Sequence, residues 1–237
     1  MTAAAQRTYR YYDFVMAAFV TVLICSNFIG AAKQAVVDLP GLGPTAFSAG
    51  VLFFPISYIF GDILTEVYGY GRDRRVVWAG FGALAFASFM AWVVVSLPPG
   101  PSGYMKSYQP ALEAVFGNAW RIALGSMIAF WCGSFVNSYV LAKMKIRTAG
   151  KWLWTRIIGS TVVGELVDSS LFYFIAFYGI WDTADILKVA MAQYVLKTGW
   201  EVVMTPVTYR VVAFLKRAED EDYYDRHTNF TPFRLKV

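Results

Sequence analysis

Glu165 and Asp168 stand three residues apart inside an otherwise apolar run between Trp152 and Trp181. Side chains at that spacing leave nearly the same face of a helix. An ionised carboxylate at membrane depth costs about 2.5 kcal/mol or more, so such groups face a partner, a cavity or a substrate. Lys197 and Glu201 lie on the next apolar run, four residues apart, and could neutralise each other. If they do, Glu165 and Asp168 keep only Arg121 and Arg156, near the ends of their runs, as nearby cations. Lys197 could instead reach across. Counting about 1.5 Å per helical residue puts Glu165 roughly 20 Å in from one face and Lys197 roughly 17 Å in from the other.

A carboxylate that accepts two parallel N–H bonds matches an amidine-like edge, such as the N1–H and 2-amino group of a guanine-type base. Asn27 or Asn137 could read the adjacent carbonyl or ring nitrogen, since an amide both donates and accepts. Tyr58, Trp131, Phe172 and Tyr173 offer flat surfaces for a planar ring, although a chain that is 18% aromatic has many such surfaces. Asp62 and Glu66 follow Tyr58 at four-residue steps and approach the end of their run, where Arg72, Arg74 or Arg75 could clasp them.

The elements that must position these groups are membrane helices. The 237 residues are 57% hydrophobic and 16% charged, against about 25% charge in soluble domains, and mean hydropathy is +0.47. Taking about 20 apolar residues per crossing, the spacing predicts an all-α membrane protein of six transmembrane helices in one domain, 1–237. The predicted spans are 13–32, 46–67, 75–97, 119–141, 153–180 and 186–214. The net charge of +5 does not point to nucleic acid, because its distribution is one-sided. Arg7, Arg10, Arg72, Arg74, Arg75, Lys143, Lys145, Arg147, Lys151, Lys216, Arg217, Arg226, Arg234 and Lys236 fall on one side of the predicted spans. Lys33, Lys106 and Lys188 fall on the other. That bias places both termini in the cytoplasm.

The first ten residues run directly into span 1 without a cleavable signal pattern. Cys25 and Cys132 fall inside spans and read as free thiols. The lone His227 sits in the tail, which leaves no histidine metal site in the membrane, and no phosphate loop occurs. The sequence calls for neither cofactor nor metal. Ala79, Ala83, Ala87 and Ala91 form a small-residue stripe on span 3 that suits helix packing and also permits a homodimer. The Pro- and Gly-rich segment 98–117 reads as an outer loop.

The run Ser48-Ala49-Gly50 through Phe54-Pro55-Ile56-Ser57-Tyr58, then Gly61-Asp62-Ile63-Leu64-Thr65-Glu66-Val67-Tyr68-Gly69, resembles the queuosine precursor transporters of the vitamin uptake transporter family. Ser26-Asn27 with Lys33, Arg74-Arg75, Ser160-Thr161 with Glu165 and Asp168, Phe172 to Phe177, Lys197 and Pro206 extend the resemblance over most of the chain. It implies a six-helix bacterial inner-membrane importer of 7-cyano-7-deazaguanine or 7-aminomethyl-7-deazaguanine, not an enzyme. On that reading Glu165 and Asp168 take the donor edge of the base, Asn27 and Asn137 orient it, Tyr58 offers a face for stacking, and Lys197 balances charge or meets O6. Within the resemblance Asp168 and Lys197 are the steadier positions. Lys33, Asp62, Glu66, Arg74, Arg75 and Glu201 are expected as structural or gating groups. Two rival readings remain: a substrate-binding subunit that works with a separate ATPase, and an intramembrane aspartyl protease with Asp62 and Asp168 as its dyad.

Overall fold

The computed structural model describes residues 8–30, 34–39, 43–117 and 120–234. Helix α1 spans Tyr12–Cys25 and continues as a wider turn over Ser26–Gly30. A two-stranded antiparallel hairpin follows, β1 Gln34–Leu39 with β2 Gly43–Ser48, in a register that pairs Gln34 with Ser48 and Leu39 with Gly43. A short 3-10 turn over Ala49–Leu52 leads into α2, Phe54–Tyr68. Then come α3 Tyr70–Ser96, α4 Gly103–Phe116, α5 Trp120–Arg147, α6 Leu153–Phe177 and α7 Thr183–Glu219.

The sequence reading placed the start of span 2 at residue 46 with Pro55 in its interior. The structure has strand and 3-10 turn there instead, and Pro55 sits in the first turn of α2. A proline is at ease in that position because its missing N–H would have had no helical partner. The expected outer loop contains α4, capped where the Ser102 hydroxyl accepts the Met105 amide.

Four stretches of the described residues are long and apolar enough to cross a membrane: Tyr12–Ile29, Tyr70–Ser96, one within Gly103–Arg147, and Leu153–Phe177. The 15-residue α2 is too short, and α7 is too polar along its 37 residues. Polarity runs inside out relative to a soluble domain. Phe14, Phe86, Trp92, Leu124, Leu166 and Val203 are exposed, while Asp62, Glu66, Arg156, Glu165 and Glu201 are buried. Large apolar side chains facing outward suit a surface solvated by lipid.

Helix α2 is the hub. From Ser57 to Tyr68 every residue except Phe60 is buried, and α1, α3, α5 and α7 all pack against it. Helices α5 and α6 make the most extensive pair. Gly125 meets Ile175 and Ala176, Gly133 meets Gly164 and Asp168, and Gly159 meets Met144, so the two helices run antiparallel along their length. Their small residues let the backbones approach closely. By contrast Ala79 on the span 3 stripe is exposed, and Ala83, Ala87 and Ala91 are only half-buried. The close contact on α3 is Gly80, which receives Phe19 and Leu23 of α1. Cys25 and Cys132 are free thiols.

Candidate functional site

The Lys197 ammonium on α7 donates to Glu165 Oε2 at 2.9 Å and to Asp168 Oδ2 at 2.5 Å, both on α6. Glu165 is 0% exposed, Asp168 4% and Lys197 8%. The within-helix pair with Glu201 does not form, because one rotation of the lysine gains two carboxylates in place of one. Lys197 also lies 5.0 Å from the centre of the Phe54 ring, a cation–π distance. Tyr173 is buried and interacts electrostatically with Lys197 and Asp168.

Tyr58 enters this cluster from α2 at the Gly133–Gly164 crossing. A Cβ at Gly133 would stand 2.5 Å from Tyr58 Oη and 2.8 Å from Asp168 Cβ; one at Gly164 would stand 2.7 Å from Asn137 Cβ. The two glycines thus create the space that Tyr58 and Asn137 occupy. Asn137 Nδ2 donates to Asp62 Oδ1 at 2.7 Å. Glu201 lies within electrostatic reach of Asp62 and Glu165. Several buried atoms here have no hydrogen-bond partner among the described residues: Tyr58 Oη, Asn137 Oδ1, Thr161 Oγ1, Glu165 Oε1 and both oxygens of Glu201. Leaving a buried polar atom without a partner costs about 1–3 kcal/mol, and so many in one place mark a site organised around something other than the fold.

The other expected residues lie elsewhere. Asn27 donates to Leu23 O at 2.9 Å and accepts from the Ser126 hydroxyl at 2.6 Å, tying the end of α1 to α5. Lys33 lies outside the described residues. Trp131 packs among Trp78, Phe135 and Phe233 rather than beside the carboxylates. The Asp62–Asp168 dyad of a protease is not formed, since each aspartate holds a different partner, Asn137 and Lys197.

A second charge cluster sits at the α2–α3 junction. Arg156 grips Glu66 in a fork, Nη2 to Oε1 at 2.9 Å and Nε to Oε2 at 3.2 Å. Its other terminal nitrogen bonds Thr148 Oγ1 and the Lys151 carbonyl. Lys216 donates to Glu66 Oε1 at 2.6 Å, and Lys145 to the Glu66 carbonyl at 2.5 Å. Both lysines reach Asp222 of the C-terminal tail, at 2.7 and 2.5 Å. Partial burial pushes the Asp222 carboxyl up, but the hydrogen bonds and charges of Lys145 and Lys216 outweigh it and hold the group below its ordinary range.

Glu66 is therefore clasped, though not by the arginines the sequence suggested. Arg72 stacks on Tyr9, with its guanidinium carbon 4.5 Å from the ring centre. Arg74 donates to the carbonyls of Asn229 and Thr231 at 2.8 and 2.7 Å, and Arg75 is exposed. The tail straps this end further: Asp225 accepts the Tyr70 amide at 3.0 Å, and Trp78 donates to Pro232 O at 2.8 Å. Gly69, at φ +85°, admits the Tyr223 ring where a Cβ would stand 2.2 Å away.

Residues 48–211 match the profile of the family described as "Putative vitamin uptake transporter". The chain belongs to the vitamin uptake transporter family. It is a multi-pass membrane transporter and not an enzyme. The "Probable queuosine precursor transporter" of Bacillus subtilis (strain 168) is 32% identical over 197 residues, covering 83% of this chain and 81% of that protein. The "Queuosine precursor transporter" of Escherichia coli (strain K12) is 26% identical over 210 residues, covering 84% and 86%. No solved structure matches the chain. Within this vitamin uptake transporter, sequence reasoning passed over Phe54 as a neighbour of Lys197, and Lys145 and Lys216 as partners of Glu66. The four-residue step from Phe54 to Tyr58 was the available signal for the first; nothing local marks the other two.

Proposed function

We propose that this transporter imports queuosine precursors, 7-cyano-7-deazaguanine and 7-aminomethyl-7-deazaguanine, across a bacterial inner membrane through six spans with both termini cytoplasmic. The observation that carries the reading is the buried Lys197 held between Glu165 and Asp168 beside the unpartnered Tyr58 Oη and Asn137 Oδ1. A guanine-like edge supplies what that arrangement needs. Its N1–H and 2-amino group donate to the two carboxylates, its O6 accepts from Lys197, and Asn137 and Tyr58 fix its orientation. Phe54, Tyr58 and Tyr173 are the flat surfaces beside it. Asn27, tied to Leu23 and Ser126, holds the α1–α5 contact apart from this cluster.

The six-span reading is supported by packing. Both α2 and α7 fail the apolar-length criterion, yet α2 is the buried hub and α7 packs on α2 and α6, so their polar residues face protein rather than lipid. Helix α2 covers roughly 22 Å at 1.5 Å per residue, short of a ~30 Å hydrocarbon core. The 3-10 turn over Ala49–Leu52, with Gly50 buried, extends it, and non-helical backbone at membrane depth is tolerated where it is buried in protein or lines a cavity. The printed names of the bacterial relatives agree with the substrate class.

The test is uptake of labelled 7-cyano-7-deazaguanine by the purified protein in liposomes with no ATPase present. Saturable uptake competed by unlabelled 7-aminomethyl-7-deazaguanine is expected. Uptake that appears only when an ATPase module is added would establish the rival subunit reading, and no competable uptake under either condition would remove the substrate assignment.

A further inference from the structure

Glu201 is the one carboxylate of the central cluster that holds no partner. It is 0% exposed, and neither oxygen has a hydrogen bond among the described residues. The groups that face it are acidic: Asp62 from α2 and Glu165 from α6. Helix α5 contributes the neutral Asn137, already bound to Asp62. Lys197, the only cation of the cluster among the described residues, lies one turn away on the same helix but is turned towards Glu165 and Asp168. Four carboxyl groups, Asp62, Glu165, Asp168 and Glu201, thus share one ammonium. The cations of the Glu66 cluster cannot help, since Arg156, Lys145 and Lys216 are committed to Glu66 and Asp222.

Uncompensated charge at this depth is prohibitive, so the excess acid has to be neutralised by a small cation. A sodium ion needs a whole shell of oxygens converging on one point. A proton needs one carboxyl oxygen.

We propose that Glu201 carries the coupling proton and that the transporter is a proton–base symporter, in which Lys197 exchanges between Glu165–Asp168 and Glu201. This rests on the base-binding reading above. A proton taken up on Glu201 from the outer side leaves Lys197 on Glu165 and Asp168, where its ammonium meets O6 of the base while the N–H donors reach the carboxylate oxygens, so proton and base are held together. After inward opening the proton passes to water by way of Asp62, one helical turn from Glu66 on α2. Lys197 then turns to the ionised Glu201 at i+4, which releases the base and resets the empty carrier. One proton is bound from the outer side and one released inside for each base, with no change of oxidation state.

In proteoliposomes that hold a pH-sensitive dye and are acidic outside, the wild type should accumulate labelled 7-cyano-7-deazaguanine and acidify its lumen as it does so. Glu201→Gln should lose accumulation at least tenfold and lose the lumenal acidification, while base-for-base exchange stays within about twofold of wild type. Glu201→Gln that still accumulates base like the wild type overturns the proposal. So does a wild type that ignores the pH gradient and follows a sodium gradient, a result that needs no variant to fold. Absence of base exchange in the wild type would instead remove the transport reading beneath it.

Discussion

Glu66 and Glu165 are both fully buried carboxylates in one helical bundle, and their surroundings differ in opposite senses. Around Glu66 three cations face two carboxylates, and no side-chain atom of Glu66, Lys145, Arg156, Lys216 or Asp222 is left buried without a partner. Around Glu165, among the described residues, one cation faces four carboxyls, with orphaned oxygens on Glu165, Glu201, Asn137 and Tyr58. A buried polar network that is fully satisfied rigidifies. One left part-satisfied holds capacity for a ligand. The contrast assigns the α2–α3 junction and its tail strap to holding the helices, and the α6–α7 cluster to moving something.

The largest expected effect tests the first half of that contrast. Arg156→Leu strands Glu66 among the remaining lysines and removes two further hydrogen bonds, to Thr148 and Lys151. Breaking a buried pair from one side costs about 3–5 kcal/mol, so thermal unfolding of the detergent-purified variant should show a sharply lowered Tm and a poor yield of monodisperse protein. An unchanged Tm would break the comparison. Next comes Gly133→Ala, whose methyl would overlap Tyr58 Oη and Asp168 Cβ. Overpacking there should cost about 1–3 kcal/mol and reduce uptake as well, whereas Gly82→Ala, with nothing within 4 Å, should do neither.

A smaller effect is expected from Glu165→Gln. Removing one of the two carboxylates that take the base should lower uptake about tenfold, equivalent to ~1.4 kcal/mol, with little change in melting. A collapse of Tm in place of uptake would make Glu165 a structural group like Glu66. The smallest effect concerns pH. Because the Asp222 carboxyl is held below its ordinary value, its contribution is complete above the unfolded carboxylate range, near pH 4, and is lost as pH falls through the lower folded value. Asp222 is half exposed, so the loss should be slight. It should appear as a small drop in Tm on acidification that Asp222→Asn abolishes.

The sequence made the α6 pair legible because i, i+3 spacing is a local rule and because counting depth from each end brought Lys197 to the same level. The choice between Lys197's two partners was not legible. Helical spacing favours Glu201, and only the close α6–α7 packing puts two carboxylates within reach. The hairpin before α2 was hidden for another reason: it falls almost wholly between the predicted spans 13–32 and 46–67, where Pro40, Gly41, Gly43 and Pro44 read as a connector. The tail strap left no trace at all, since Arg74 and Trp78 are held there by backbone carbonyls of Asn229, Thr231 and Pro232, which any residue could supply.

The most direct test of the central claim is calorimetric binding of 7-cyano-7-deazaguanine to purified wild type, Asp168→Asn and Asp222→Asn at matched Tm. The account predicts saturable binding by the wild type, a Kd raised at least tenfold in Asp168→Asn, and wild-type affinity in Asp222→Asn. Equal affinity in all three would place the base outside the α6–α7 cluster and contradict it.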